Sequence, residues 1–192
     1  MSLRVLGIAG SLRRDSYNRS LLRAAASLAP PGLELETADI ASIPLFDGDL
    51  EAAGMPEAVR KLRQQIRAAD AVLIATPEYN RSIPGVLKNV IDWASRSPDQ
   101  PLAGKPAAIF GASSGPYGTI RAQHHLRTIC SILGMLVLPR PEVLVSLAKD
   151  KFDSQGELSD SATRESIRKM MLALEEWTLR LQRGKEAAET KA

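Results

Sequence analysis

The 192-residue chain has one cysteine, Cys130, which excludes an intramolecular disulfide and any metal site built on clustered cysteines. Its two histidines, His124 and His125, are adjacent. Neighbours on a helix or strand do not share a face, so they make a poor metal pair, and no metal is expected. No run approaches the roughly 18 consecutive apolar residues of a membrane span. The opening Met1-Ser2-Leu3-Arg4-Val5 lacks the charged region, long apolar region and small-residue cleavage site of a secretory leader, so the cytoplasm is the expected location. Charge of one sign is scarce too. The net +3, with 25 Lys and Arg against 22 Asp and Glu, suits anionic small molecules rather than a nucleic-acid groove, which needs a contiguous basic stripe. Neither nucleic acid nor membrane is expected as a partner. Two phosphate fingerprints are also missing. Without G-x-G-x-x-G there is no Rossmann dinucleotide anchor, and without G-x-x-x-x-G-K-[ST] the chain does not read as a nucleoside triphosphatase.

What is present is an alternation of short apolar runs and helical stripes. Residues 5–9, 71–75 and 107–110 read as buried parallel strands, 33–37 as a half-exposed strand and 135–138 as a fifth. Leu21, Leu22, Ala25 and Leu28 recur at helical spacing, as do Val59, Leu62, Ile66 and Ala69. Further helices carry Leu87, Val90 and Ile91, then Leu126, Ile129 and Cys130, and a last one spans about 161–183. The stretch 41–55 reads as a long connection. The alternation predicts an α/β fold: a flavodoxin-like, doubly wound, five-stranded parallel sheet of order 2-1-3-4-5 with helices on both faces. It forms a single domain over 1–183, with 184–192 as a frayed C-terminal tail. Ligands of such sheets bind beyond the carboxyl ends of the strands, on the loops that follow strands 1, 3 and 4.

Those three loops hold the unusual residues. In Gly10–Asn18, Ser11 and Ser16 offer hydroxyls, Arg13 offers a charge-assisted bond, and a helix N-terminus follows. Asn18 either donates to a phosphate or caps the helix. The nearby Arg14, Arg19 and Arg23 read either as part of an anion site or as a solvated helix face. The second loop runs from Thr76 to Pro84. Between its prolines, Glu78, Tyr79, Asn80 and Arg81 supply the aromatic contact and in-plane polar groups that a flat heteroaromatic ring needs. The third, Ser113-Ser114-Gly115-Pro116-Tyr117-Gly118, permits close approach of backbone to a flat ligand. Cys130 sits on an apolar stripe and reads as a small buried hydrophobe.

At these residues the sequence resembles the NADPH-dependent FMN reductase family, and within it the chromate and quinone reductases. The resemblance rests on Gly10-Ser11-Leu12-Arg13 with Ser16 and Asn18, and on Pro77-Glu78-Tyr79-Asn80 with Ser82, Pro84 and Gly85. It continues through Leu87-Lys88-Asn89, Ile91-Asp92-Trp93 and Pro101–Pro106, and runs to about Glu142. The sequence departs from the pattern at Thr119, where many relatives have a second glycine after Gly118.

The resemblance implies bound FMN, NADPH or NADH as co-substrate, and small-molecule electron acceptors such as quinones, azo compounds or chromate. Ser11, Arg13, Ser16 and Asn18 would hold the FMN phosphate. Pro77, Glu78, Tyr79, Asn80 and Arg81 would border the ribityl chain and ring, and Ser113, Ser114 and Gly115 would flank the ring's other side. No side chain is expected to be catalytic, because the flavin N5 carries the hydride. A homodimer or homotetramer is implied as well. Three other readings stand beside this one: a reductase that delivers reduced free FMN, a flavodoxin-type electron carrier that does not oxidise NAD(P)H, and a phosphate-binding module without flavin.

Overall fold

The structure is a computed structural model that describes residues 2–190. Strand β1 (Leu3–Ala9) leads through a loop to α1 (Tyr17–Leu28) and β2 (Leu33–Thr37). A connection carrying the short α2 (Gly48–Ala53) precedes α3 (Glu57–Ala68), β3 (Ala71–Ala75) and α4 (Gly85–Ala94). Then come β4 (Pro106–Ala112), α5 (Ile120–Ile132), the short strands β5 (Leu136–Val137) and β6 (Val143–Val145), and the long α6 (Ser161–Glu189).

The strands form one parallel sheet of order β2-β1-β3-β4-β5, with β6 also pairing to β4. The period of two along each strand divides the core between its faces. Val5, Leu73 and Phe110 join α1 and α6 on one side, where Leu21, Leu22, Met170, Met171 and Leu174 are buried. Leu6, Ile8, Ile74 and Ile109 point to the other side, against Leu62 and Ile66 of α3, Leu87 of α4 and Leu126 of α5. β3, apolar at all five positions, is buried throughout, as a central strand covered on both faces must be. β2 lies at the sheet edge, and its glutamates are not buried.

Three stretches differ from expectation. The fifth strand is in two pieces: β5 pairs with the start of β4 and β6 with its end. Pro139 and Pro141, which have no N–H to give to a ladder, stand in the gap. The 41–55 connection contains α2, opened by Asp47, whose side chain accepts from Asp49 N at 2.8 Å. No α2 residue is buried, so no apolar stripe announces it. Finally, α6 runs on to Glu189 instead of ending near 183, with Lys185, Glu186, Ala187 and Ala188 supplying favourable helix formers after Gly184. Of the expected tail, Lys191 and Ala192 lie outside the described residues.

Among the described residues no helix is long and apolar enough to cross a membrane, and no three His, Cys, Asp or Glu side chains gather as metal ligands would. Cys130 is buried, and burial pushes its thiol up to about 12, so it stays protonated at neutral pH. Trp93 is fully buried and donates to Pro44 O, while Asn89 holds both Pro44 O and Phe46 N. Two residues of α4 thereby tie down the long connection after β2.

Candidate functional site

The chain leaves β1 at Ala9, and Gly10 N donates to Ala75 O at 2.8 Å, which seats the first loop beside the end of β3. Ser11 and Ser16 are buried within this loop. Ser11 Oγ accepts from Arg13 N, and Ser16 is the N-cap of α1, its Oγ accepting from Asn18 N. Arg13 is exposed, and among the described residues its guanidinium donates only to Asp15 O, at 3.4 Å. The loop therefore ends at a helix start with a free cation and two hydroxyls beside it, which is a ready site for an anion.

Asn18 has a partner inside the fold. Its side chain is buried, donates to Ala112 O at 3.0 Å and accepts from Ala112 N at 2.9 Å. A side-chain amide matched in both senses to a backbone amide pins α1 to the end of β4. The cap itself falls to Ser16. Asn18 serves as a tether between the first and third loops.

The second loop turns back on itself. Tyr79 and Ser82 exchange backbone hydrogen bonds at 3.0 Å in each direction, with Asn80 (φ 49°) and Arg81 (φ 64°) between them. Two successive positive φ values make a type I′ turn. Asparagine tolerates that conformation, whereas arginine pays about 1 kcal/mol or more for it, and such strain gathers at functional sites. The turn thrusts Tyr79, Asn80 and Arg81 into solvent, while Pro77 is buried below them.

Glu78 faces away from the turn's tip. Its carboxylate accepts from Arg121 N (2.9 Å) and Ala122 N (3.1 Å), and the Arg121 guanidinium stands 3.5 Å from its other oxygen. A carboxylate at the positive end of a helix is favourable. Thr119, the local N-cap of α5, makes no side-chain capping bond, so Glu78 caps that helix from another element. Glu78 thus borders the site through its backbone and locks the second loop to the third.

The third loop is tightly packed at its base and open at its tip. A Cβ on Gly111 would lie 2.1 Å from Thr76 O, so β4 crosses β3 there only because residue 111 is glycine. Gly118 is held differently, by its positive φ (+60°) and by Leu144, whose carbonyl carbon would lie 3.1 Å from an added Cβ. Ser113 Oγ donates to Gly118 O at 2.6 Å, closing the loop on itself, while Ser114 is exposed and Gly115 has open space. Tyr117 is exposed, with the Arg121 guanidinium 5.0 Å from its ring centroid.

A fourth segment joins these three. Leu147 N donates to Gly115 O, and Ala148 N to Ser113 O, each at 3.0 Å. Residues 147–156 therefore flank the first and third loops, which sequence reasoning missed because this stretch carries no motif. Two of its residues, Leu147 (φ 49°) and Gly156 (φ 77°), have left-handed backbone.

The result is a set of loops at the carboxyl end of the sheet with an anion-binding helix start on one side and exposed apolar side chains around it. Leu12, Tyr79, Tyr117 and Leu147 are all about half exposed or more, and each sits on a different one of the four segments. Exposed large apolar groups that form a patch mark an interaction surface. His124 and His125 are exposed on α5, and His125 Nδ1 lies 3.1 Å from Ser82 Oγ at the far side of the second loop's turn.

Comparison with known proteins follows the same line. The family model described as NADPH-dependent FMN reductase matches residues 3–150. An NAD(P)H-dependent FMN reductase of Pseudomonas aeruginosa is 55% identical, the match covering 93% of this chain and 97% of that protein. A quinone reductase of Escherichia coli is 43% identical over 93% of this chain and 97% of its own length. Among solved structures, a flavoenzyme NAD(P)H:acceptor oxidoreductase from Paracoccus denitrificans superposes with a TM-score of 0.85 and 36% identity, covering 93% of this chain and 98% of that one.

Proposed function

The chain belongs to the NADPH-dependent FMN reductase family, and from that premise we propose that it is an oxidoreductase that takes electrons from NAD(P)H through bound FMN and delivers them to quinones and related small acceptors. The observation that carries the reading is the pairing, at one end of the sheet, of an anion site at the α1 N-terminus with a ring of exposed apolar side chains. A phosphate linked to a flat heteroaromatic ring satisfies both halves at once.

The residues fit FMN in the following way. Ser11, Ser16, Arg13 and the first N–H groups of α1 hold the phosphate, with Asn18 fixing the helix that presents them. Pro77, Tyr79, Asn80 and Arg81 would border the ring through the hairpin, which the paired backbone hydrogen bonds of Tyr79 and Ser82 hold closed. Glu78 keeps that hairpin in register with Ser113, Ser114 and Gly115 on the other side. Bound FMN supplies the chemistry, accepting a hydride and passing the electrons on. The protein's part is to orient the ring and to keep one face open to donor and acceptor in turn, which gives ping-pong kinetics.

The same reading implies a homo-oligomer. We assign its contact to the apolar groove of about 480 Å³ between Ile83, Gly85 and Lys88 on one side and His125 and Ile129 of α5 on the other, next to the exposed Ile132. The cytoplasm, with its reduced pyridine nucleotides, is where we place its work.

The test is direct. The purified protein is expected to be yellow, to bleach when NADPH is added without oxygen, and to turn over a quinone faster than free FMN. Colourless protein that ignores added FMN would remove the flavin. A yellow protein that NAD(P)H does not bleach would make it a carrier. Faster turnover of free FMN with weak flavin retention would make it a flavin reductase.

A further inference from the structure

We propose that the cleft between the first loop and residues 149–156 receives the adenosine 2′-phosphate of NADPH, and that Arg14 and Lys149 make this enzyme prefer NADPH to NADH. The inference rests on the function proposed above and adds a donor specificity to it.

The cleft has a volume of about 560 Å³, within the range of small-molecule sites. Arg13, Arg14 and Tyr17 line it from the first loop and α1, and Lys149, Phe152 and Gln155 line it from the opposite side. It is contiguous with the FMN phosphate loop, because Arg13 belongs to both. Of its two aromatic lining residues, Phe152 is buried against Tyr17 (ring centroids 4.9 Å apart, 35° between planes), so the half-buried Tyr17 is the ring that a purine can meet.

The charges around this cleft are unequally committed. Arg23, which also lines it, is spent in an ion pair with Glu157 (2.8 Å) and in bonds to Ser20 and Gly156. Of the two carboxylates on the rim, Asp153 accepts the N–H groups of Gln155 and Glu157 at 2.9 Å and so serves its own turn. Asp15 is exposed at the tip of the first loop. Among the described residues, Arg14 and Lys149 have neither a salt bridge nor a side-chain hydrogen bond, and both are exposed. Two uncommitted cations on opposite walls of an aromatic-lined cleft match a ligand that joins a purine to a phosphate monoester. Such a phosphate carries between one and two negative charges near neutral pH. NADPH has that group on its adenosine and NADH lacks it, while the pyrophosphate is common to both, so the ratio between the two donors isolates the contact to the 2′-phosphate. Sites of this kind discriminate by leaving the charged residues unpaired when the wrong ligand enters.

The experiment uses the FMN-loaded protein as wild type, Arg14→Ala, Lys149→Ala and the double variant, each checked for flavin content by absorbance. Steady-state kcat/KM is measured for NADPH and for NADH at low ionic strength. Binding of adenosine 2′,5′-bisphosphate and of AMP is measured by calorimetry. The wild type is expected to favour NADPH. The double variant is expected to lose about 10- to 100-fold of the NADPH-to-NADH ratio, through KM rather than kcat. Its affinity for the bisphosphate falls in parallel, while AMP is little affected. Arg14→Lys in place of Arg14→Ala restores much of the ratio. A wild-type ratio near one, a ratio that no variant moves, or an equal fall for both donors would overturn the inference. If the wild-type holoenzyme is reduced by neither nucleotide, the proposed function itself fails, which is a different result from an unchanged ratio.

Discussion

Gly111 and Gly115 stand four residues apart in and after β4, yet only one of them has no substitute. An added methyl at 111 meets Thr76 O at 2.1 Å and Thr119 Oγ1 at 2.5 Å, so backbone must move. At 115 it meets nothing nearer than Ser113 Oγ at 3.7 Å. Gly111→Ala is therefore expected to cost about 3 kcal/mol, and Gly115→Ala within about 0.5 kcal/mol, in urea unfolding midpoints. The same local view separates the roles of Glu78. Glu78→Gln keeps an oxygen for the two N–H groups of α5 and loses the charge, about 0.3–1 kcal/mol. Glu78→Ala strands both donors and costs about 1–2 kcal/mol. Flavin retention on a desalting column is expected to fall in that order: wild type, Gln, Ala. Equal retention in all three would mean that the link between the second and third loops does not serve the ligand. At this scale the sequence was half legible. Ser11, Ser16 and Arg13 announce an anion site by type and spacing. Asn18 reads as a phosphate or cap residue and Glu78 as a polar group beside a ring, and both also tie loops together, because their partners, Ala112 and the start of α5, are distant in the chain and become neighbours only in the fold.

Among the elements, α6 shows how much a cap can carry. This 29-residue helix starts at Asp160, whose carboxylate accepts from the Thr163 hydroxyl and from Thr163 N at 2.8 Å, with Lys151 3.8 Å away. The Thr163 side-chain bond, then its backbone bond, hold the Asp160 carboxyl below its ordinary value. A carboxyl lowered on folding adds stability that is present above its unfolded pKa and is lost as pH falls through the folded one. Asp160→Ala is thus expected to lower stability by about 1 kcal/mol at neutral pH. The gap to wild type should close as pH falls below about 4, where the unfolded aspartate takes up its proton. Urea melts of both proteins at pH 7, 5 and 3.5 check it, and a gap independent of pH would deny the charged form its part. The elements were the most legible level. Long apolar stripes and five-residue apolar runs have one physical use each, burial on a helix face or in a covered strand. What escaped were α2, which buries nothing, and the break between β5 and β6, where two prolines interrupt a strand that the hydrophobic pattern alone does not divide.

For the whole molecule, the order of the sheet decides where chemistry can occur. With β1, β3 and β4 adjacent, the three loops that follow them open at one end of the sheet. Alternation of strands and helices was enough to foresee this, whereas the fourth contributor, residues 147–156, reaches the site only because β6 returns alongside β4. A ligand that bridges segments from separate elements should stabilise the entire fold by mass action. FMN at one hundred times its dissociation constant contributes about 2.7 kcal/mol. For a chain of this length each kcal/mol moves the melting temperature by about 2–4 °C, so flavin-stripped protein is expected to gain roughly 5–11 °C on saturation. Arg13→Ala divides the causes of that gain. The Arg13 side chain is exposed and, among the described residues, bonds only to Asp15 O at 3.4 Å, so the stripped variant should melt with the stripped wild type. With FMN at equal concentration the variant should gain several degrees less, and added inorganic phosphate should erode its gain sooner. Equal gains in the two proteins would take the phosphate away from the loop at 10–18. A lower melting point in the stripped variant would make Arg13 a part of the fold before it is a part of the site.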